Sequence, residues 1–162
     1  MSVVILVLML FAAMVVPNIA AMTASRERRE FFIALTRIAA SARETAVSEG
    51  KPMVLSLDSG QSRLVVIEET EDGDEVERES LTLPPDVEAS AFQADGQGAG
   101  SSDWRLRFYS DGSSDGGGVE LDDQGRIRSL DIAPDGRVRL IEGSLPERTE
   151  ERWQAGDYEK RA

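Results

Sequence analysis

The 162-residue sequence contains no cysteine and no histidine. These absences exclude thiolate nucleophiles, imidazole bases and every common zinc ligand set except carboxylates. The run from Ser110 to Gly118 is rich in glycine but lacks the lysine and the helix start of a phosphate-binding loop, and no nucleophile elbow is present. Only carboxylate or serine–lysine chemistry remains open. We therefore expect a protein that is not an enzyme and that holds no cofactor and no metal.

Positive charge is also scarce. The chain has 18 Lys and Arg residues against 30 Asp and Glu residues, which gives a net charge of -12 and an isoelectric point near 4.5. A protein of this sign repels the phosphates of nucleic acids, whose binding depends on clustered lysine and arginine. We therefore do not expect nucleic acid as a general partner.

One long apolar run stands at the start of the chain. Residues 3–16 are apolar without interruption, and the mostly apolar stretch continues to Met22. About 20 residues at about 1.5 Å each can cross the roughly 30 Å core of a bilayer, so residues 1–22 are predicted to be a transmembrane anchor. A cleaved signal peptide and a buried core helix are the alternatives; the first lacks its basic start, and the second lacks an apolar surrounding. The residues expected to serve membrane insertion and helix assembly are Val3, Ile5, Leu8, Phe11, Ala12, Ala13, Val16 and Pro17.

Residues 23–50 are predicted to continue this helix, bent but not ended at Pro17. Their apolar positions recur every three or four residues and form one stripe, which is typical of an amphipathic helix. Gly50, followed by Lys51 and Pro52, predicts that the helix ends near Glu49. The residues expected to pack the helix on a sheet are Phe31, Leu35, Ile38, Ala42 and Ala46.

From residue 51 to 143 the apolar period changes from helical to alternating, as in Trp104, Leu106 and Phe108. Asp-Gly pairs such as Asp135-Gly136 separate these segments and favour tight turns. The predicted fold class is α+β: a long N-terminal helix, membrane-spanning in its first half, packed on an antiparallel β domain of roughly seven or eight short strands. Residues 144–162 lose the alternation and are predicted to be a flexible charged tail.

Two Gly-Arg-X-Arg repeats lie near the end of the β domain, with arginines at Arg126 and Arg128 and at Arg137 and Arg139. Alternate residues of a strand project from one face, so each pair could present two guanidinium groups to DNA phosphates. The alternative is an ordinary hairpin whose outward arginines balance nearby carboxylates. We favour this alternative because the net charge is -12.

Four clustered aspartates could form a calcium site. Asp111, Asp115, Asp122 and Asp123 offer hard oxygen ligands beside a glycine-rich loop, but their spacing is not that of an EF-hand. Tight turns need Asp and Gly for backbone reasons alone, so we predict solvated turns and no metal. The acidic run Glu68–Glu79 is likewise predicted to be a solvated loop.

A family resemblance rests on two stretches and the segment LPPDV between them. The first is LMLFAAMVVPNIA leading into ARETAVSEGKPMVLSLD, and the second is FYSDGSSDGGGVELDDQGRIRSLDIAPDGRVRL. The first resembles the apolar pilin helix with its proline; the second is similar to an aromatic, Asp-Gly and glycine-rich loop followed by strand, Gly-Arg turn and strand. In this order they resemble the GspH/FimT family of pseudopilins.

The resemblance implies a structural minor pseudopilin of a type II secretion pseudopilus. It also implies a single-pass anchor in the bacterial inner membrane, a periplasmic C-terminal domain, and contacts with other pseudopilins and with the inner-membrane secretion platform. Two alternatives stay open. One is a FimT-like minor pilin that binds DNA during uptake, and the other is a periplasmic β domain simply tethered to the membrane.

The chain departs from the family at its start. Pilin-like precursors carry a basic leader, a glycine before the cleavage point, a methylated aromatic residue after it and an acidic residue early in the helix, and these do not precede the apolar run here. We expect the processing site to lie upstream of Met1. Prepilin peptidase and N-terminal methylation would then belong to the maturation of this chain.

Overall fold

The computed structural model describes residues 2–70 and 73–147, and for residues 2–22 it describes the backbone alone. Within these ranges the chain forms one helix, α1 (Ser2–Glu49), and nine strands. The predicted α+β class with the helix first is confirmed. The strand number exceeds the expected seven or eight, partly because β5 has only three residues and is too short for alternation to show. The strands are β1 (Met53–Asp58), β2 (Arg63–Glu69), β3 (Glu75–Thr82), β4 (Val87–Ala94), β5 (Gln97–Ala99), β6 (Arg105–Phe108), β7 (Gly117–Asp123), β8 (Arg126–Ile132) and β9 (Val138–Glu142).

Helix α1 continues through Pro17 and ends at the predicted stop. Gly50 follows with a φ of 70°, the left-handed conformation that glycine adopts without steric cost. In the part of the chain whose side chains the structure describes, no helical segment is long and apolar enough to cross a membrane. The anchor side chains predicted between Val3 and Pro17 lie outside that part, as does the predicted tail beyond Glu147.

The strands form two antiparallel sheets. The first sheet has the order β3-β2-β1-β6, and the second has the order β5-β4-β7-β8-β9. The helix lies across both, in contact with β1 and β3 of the first sheet and with β9 of the second. The strands β3 and β9 are edge strands, so the helix packs beside one free edge of each sheet.

The acidic run Glu68–Glu79 was wrongly predicted to be a loop. Its two ends belong to strands β2 and β3, which pair as a hairpin with a register shift between Val66 and Ile67. The carboxylates are tolerated in strands because arginines of the same sheet neutralise them: Arg63 of β2 donates to Glu77 of the adjacent β3 at 2.8 Å, and Arg107 of β6 donates to Glu69 of β2 at 2.7 Å. Ion pairs across strands thus stabilise a segment whose composition alone indicates solvation.

The core lies where the helix meets the inner faces of the sheets. Trp104, Leu106 and Phe108 are buried, and the indole nitrogen of Trp104 donates to the Gln93 carbonyl at 3.0 Å. Trp104 also packs on Phe92, with ring centroids 5.6 Å apart. One hydrogen bond and one ring contact therefore join the first sheet to the second.

Two loops close over the second half of the helix. Arg43 donates from Nε to the Gly112 carbonyl at 2.9 Å. At Gly136, which has a φ of 76°, a Cβ atom would stand 2.0 Å from the same carbonyl. Glycine is therefore required there for both conformation and space. The loop at Gly112 and the turn at Gly136 are held together against α1, which also positions Arg137.

Candidate assembly surface and arginine clusters

One face of α1 is buried inside the domain. We call it the buried stripe; it consists of Phe31, Leu35, Ile38, Ala42 and Ala46, the residues predicted to pack on the sheet. Each is at most 4% exposed, and all five belong to one core cluster with side chains from both sheets. The domain's own strands cover this stripe, so it offers no surface to another subunit.

The opposite face of the same helix points outward. Ile33 is 62% exposed and Val47 is 49% exposed, with exposed Ala40 midway between them. These three apolar residues recur every seventh position, which places them on one side of a helix. We call them the exposed stripe. The sequence-based interpretation missed it, although the seven-residue spacing was a signal that could have found it.

An apolar groove adjoins the exposed stripe. It is open, has a volume of about 530 Å³ and runs between the helix and the edge strand β9. Leu140 of β9 contributes its far wall and is 39% exposed. The groove is lined by Arg29, Phe32, Ile33, Thr36, Arg37, Ala40, Arg128 and Leu140. An apolar groove next to a helix face fits the side chains of another helix better than a polar ligand.

A buried carboxylate holds the end of the helix to the first sheet. Glu68 is 3% exposed and forms ion pairs with Lys51, just after the helix, and with Arg78 of β3. Arg78 also reaches Glu49, the last helical residue, at 3.2 Å. The hydrogen bonds from Lys51 and Arg78 lower the pKa of Glu68, since they favour the charged carboxylate more than burial disfavours it.

The first arginine pair faces the helix. Arg128 lies on the same face of β8 as the buried residues Leu130 and Ile132, because alternate residues share a face. Its guanidinium carbon stands 4.6 Å from the centroid of the Phe32 ring, within the range of a cation–π contact. Arg126 lies on the same face at the exposed end of the strand.

Arg126 and Arg128 line a second groove, which we call the basic groove. It has a volume of about 640 Å³ and lies between residues 25–29 of α1 and strands β8 and β9. Two helix arginines, Arg28 and Arg29, also line it, with Ser25, Asp123, Gln124, Leu140, Ile141 and Glu142 completing the walls.

The second arginine pair projects from the opposite face of the sheet. Arg139 lies opposite Asp131 in the β8–β9 register, and its guanidinium donates to this buried carboxylate at 2.8 Å. Arg137, just before β9, donates to Asp135 at 2.6 Å. The structure therefore does not bring the four arginines onto one surface. Strand alternation predicted each pair but could not show that the pairs face opposite ways.

The clustered aspartates act in turns and ion pairs. The Asp111 carboxylate accepts hydrogen bonds from the Ser113 amide and hydroxyl, which lowers its pKa. Asp115 accepts from the Arg107 amide at 3.1 Å and from the Tyr109 hydroxyl at 2.7 Å. Asp122 accepts from the Gly125 amide. Within residues 2–70 and 73–147 no group of three or more acidic side chains is arranged to hold a metal ion.

Two solved structures of other proteins have a similar fold. The minor pseudopilin EpsH from the type II secretion system of Vibrio cholerae matches with a TM-score of 0.50 and 15% identity, over 77% of this chain and 95% of EpsH. The type IV minor pilin FimU of Pseudomonas aeruginosa matches with a TM-score of 0.56 and 16% identity, over 74% of this chain and 92% of FimU. At these identities the likeness shows a shared fold. No curated protein matches the chain by sequence.

The decisive comparison is with a family model. The model of the type II transport protein GspH matches residues 34–136, which is more than half of the chain and includes the last third of the helix with eight of the nine strands described. This chain belongs to the GspH family, the pseudopilin family that its sequence motifs resemble.

Proposed function

We propose that this chain is a structural minor pseudopilin of a type II secretion pseudopilus, and that it contributes to pseudopilus assembly and protein secretion. Membership of the GspH family and the fold shared with a minor pseudopilin and a minor pilin support the proposal. Its partners are other pseudopilins in a hetero-oligomeric filament and the inner-membrane secretion platform. Prepilin peptidase acts on it if a leader precedes Met1. We assign it no catalytic role.

The proposal places residues 1–22 in the bacterial inner membrane as a single pass and the C-terminal domain in the periplasm. Met1 to Met22 supply the required apolar length, and α1 continues from this stretch into the β domain without a break in its backbone. The uninterrupted helix is the reason to prefer an assembly subunit to a simple tether, because a tether needs no rigid connection between its span and its domain.

The exposed stripe carries the assembly proposal. Ile33, Ala40 and Val47 cover more than three turns of helix, and Ile33 and Ala40 line the apolar groove. Apolar surface of this kind, left open on a helix, marks a site of contact with another protein. We propose that a helix of a neighbouring pseudopilin packs there.

Site-specific crosslinking tests this contact. The chain has no cysteine, so one introduced at Ile33, Ala40 or Val47 is unique. In cells that express the complete secretion system, these variants should crosslink to another pseudopilin. Ser59→Cys, in the exposed turn after β1, is the matched control and should not. Equal crosslinking from all four positions, or from Ser59→Cys alone, would contradict the proposed surface.

The assembly role is better supported than the alternative, a FimT-like minor pilin that binds DNA. The four candidate arginines lie on two faces of the second sheet, and Arg137 and Arg139 are already engaged by Asp135 and Asp131. An extended polyanion needs a continuous row of free cations.

A further inference from the structure

The basic groove contains cations that its own walls do not neutralise. Arg28 is paired, with Asp86 at 3.2 Å and with Asp123 at 3.1 Å. In the described part of the chain, Arg29 and Arg126 form no hydrogen bond and no ion pair, and both are exposed. Three arginines, Arg29, Arg126 and Arg128, thus share the groove with one acidic lining residue that is not paired with Arg28, in a protein with a net charge of -12.

The third of these arginines is held in place by an apolar contact. Arg128 stacks over Phe32, which restrains its guanidinium. Glu142 lies opposite Arg128 in the β8–β9 register, but among the described residues Arg128 forms no ion pair. Glu142 is the one acidic lining residue that does not pair with Arg28. The groove therefore has a surplus of positive charge and several free donors. These are the properties of a site for a phosphate group, which accepts hydrogen bonds from guanidinium forks.

The position of the groove on α1 indicates the source of the phosphate. Ser25 and Arg29 lie three and seven residues beyond Met22, where the apolar stretch ends. At about 1.5 Å per residue, the groove begins about 4.5 Å and extends to about 10 Å past the apolar stretch. The two headgroup layers together add about 10–15 Å to the hydrocarbon core, so each is about 5–8 Å deep. The near end of the groove, at Ser25, lies within that depth, and Arg29 lies just outside it.

We propose that the basic groove binds the phosphate of an anionic phospholipid headgroup, through Arg29, Arg126 and Arg128. This inference rests on the proposed membrane anchorage of residues 1–22. A single concavity bounded by Asp123 and Glu142 suits one headgroup better than a long polyanion, which those carboxylates and the net charge of the chain would repel. The site orients the β domain against the membrane before the subunit enters a filament.

Native mass spectrometry of the full chain tests the proposal. The chain is reconstituted in nanodiscs of equal parts phosphatidylcholine and phosphatidylglycerol, and the lipids that remain bound to the released protein are identified by mass. We expect phosphatidylglycerol to be retained in preference to phosphatidylcholine. Arg29→Gln with Arg126→Gln should lower that preference roughly 25-fold, because each of the two basic residues near an anionic surface contributes about a fivefold gain in binding. This variant leaves the Arg128–Phe32 contact intact.

The matched control is Arg26→Gln with Arg137→Gln. It removes the same charge from one helix residue and one residue of the turn before β9, which are both largely exposed and lie outside the groove. The control should retain the wild-type preference. Equal losses in the two variants would show general attraction between basic residues and the membrane and would overturn the proposed site.

Four further outcomes would also overturn it. Displacement of phosphatidylglycerol by millimolar inorganic phosphate would indicate a free-phosphate site. Displacement by a short DNA duplex, dependent on the same arginines, would indicate nucleic-acid binding. A chain that does not enter nanodiscs would contradict the membrane anchorage and this inference together, whereas a chain that enters without any lipid preference would contradict the headgroup site alone.

Discussion

Helix α1 carries apolar residues on two faces, and the two faces have opposite surroundings. The buried stripe, from Phe31 to Ala46, is covered by strands of both sheets, whereas Ile33 and Val47 of the exposed stripe have about half or more of their surface in solvent. Apolar surface that a domain does not bury itself is available to partners. On this one helix, the residues that stabilise the fold are therefore different from those that we propose for assembly.

The largest expected effect comes from truncating the buried stripe. Leu35 is fully buried, so Leu35→Ala removes apolar contacts and leaves a cavity. We expect a loss of about 3 kcal/mol in the free energy of unfolding, measured by urea denaturation of the full chain in nanodiscs. Ile33→Ala, two residues away on the exposed stripe, should change it by no more than about 0.5 kcal/mol. Similar losses in both variants would remove the distinction between the stripes.

The next effect concerns the end of the helix, which the ion pairs of Glu68 and Arg78 hold to the first sheet. Because the pKa of Glu68 is lowered in the folded protein, its carboxylate stabilises the fold above the ordinary glutamate pKa of about 4.3. This contribution is lost as the pH falls from that value through the lowered pKa. The difference in Tm between the wild type and Glu68→Gln should therefore be largest near pH 7 and shrink below about pH 4.3.

Glu79→Gln, on the neighbouring strand β3, is the control for this measurement, since it removes an equal charge without disturbing the Lys51–Glu68–Arg78 cluster. Its Tm should follow that of the wild type across the same range. A Glu68→Gln profile parallel to the wild type at every pH would show that the cluster does not couple stability to protonation.

A smaller effect is expected at the boundary between the two faces. Arg43 is half-buried and donates to the Gly112 carbonyl, which fastens the loops around Gly112 and Gly136 to the helix. Arg43→Gln should cost about 1 kcal/mol, the typical contribution of one hydrogen bond. Arg37→Gln, on the exposed side, should change the free energy of unfolding by less than about 0.5 kcal/mol. Amide hydrogen exchange should become faster in these loops in the Arg43→Gln variant alone, which would show that the stability is lost where the loops meet the helix.

The two stripes also show how far sequence reasoning reaches. The buried stripe follows from apolar residues every three or four positions, and the helix end follows from Gly50, because both are local properties of the chain. The exposed stripe is harder to see, since charged residues between Ile33 and Val47 give that side the appearance of a solvated face. Which face a strand turns to the helix depends on the packing of the two sheets. For this reason the opposite orientations of Arg128 and Arg139 could not be predicted.

The smallest effect on stability is expected on the exposed stripe, where the effect on assembly should be largest. Ala40→Glu places a charge at the centre of this stripe, on an exposed helical position that accepts glutamate with little loss of helix propensity. The free energy of unfolding should stay within about 0.5 kcal/mol of the wild type. Crosslinking of Ile33→Cys to its partner should nevertheless fall several-fold, because a charge must be desolvated when an apolar helix packs on it.

Ser59→Glu, in the turn after β1, adds the same charge away from the stripe and should leave crosslinking unchanged. Undiminished crosslinking in the Ala40→Glu variant would mean that the helix face open to solvent is not where a neighbouring subunit packs.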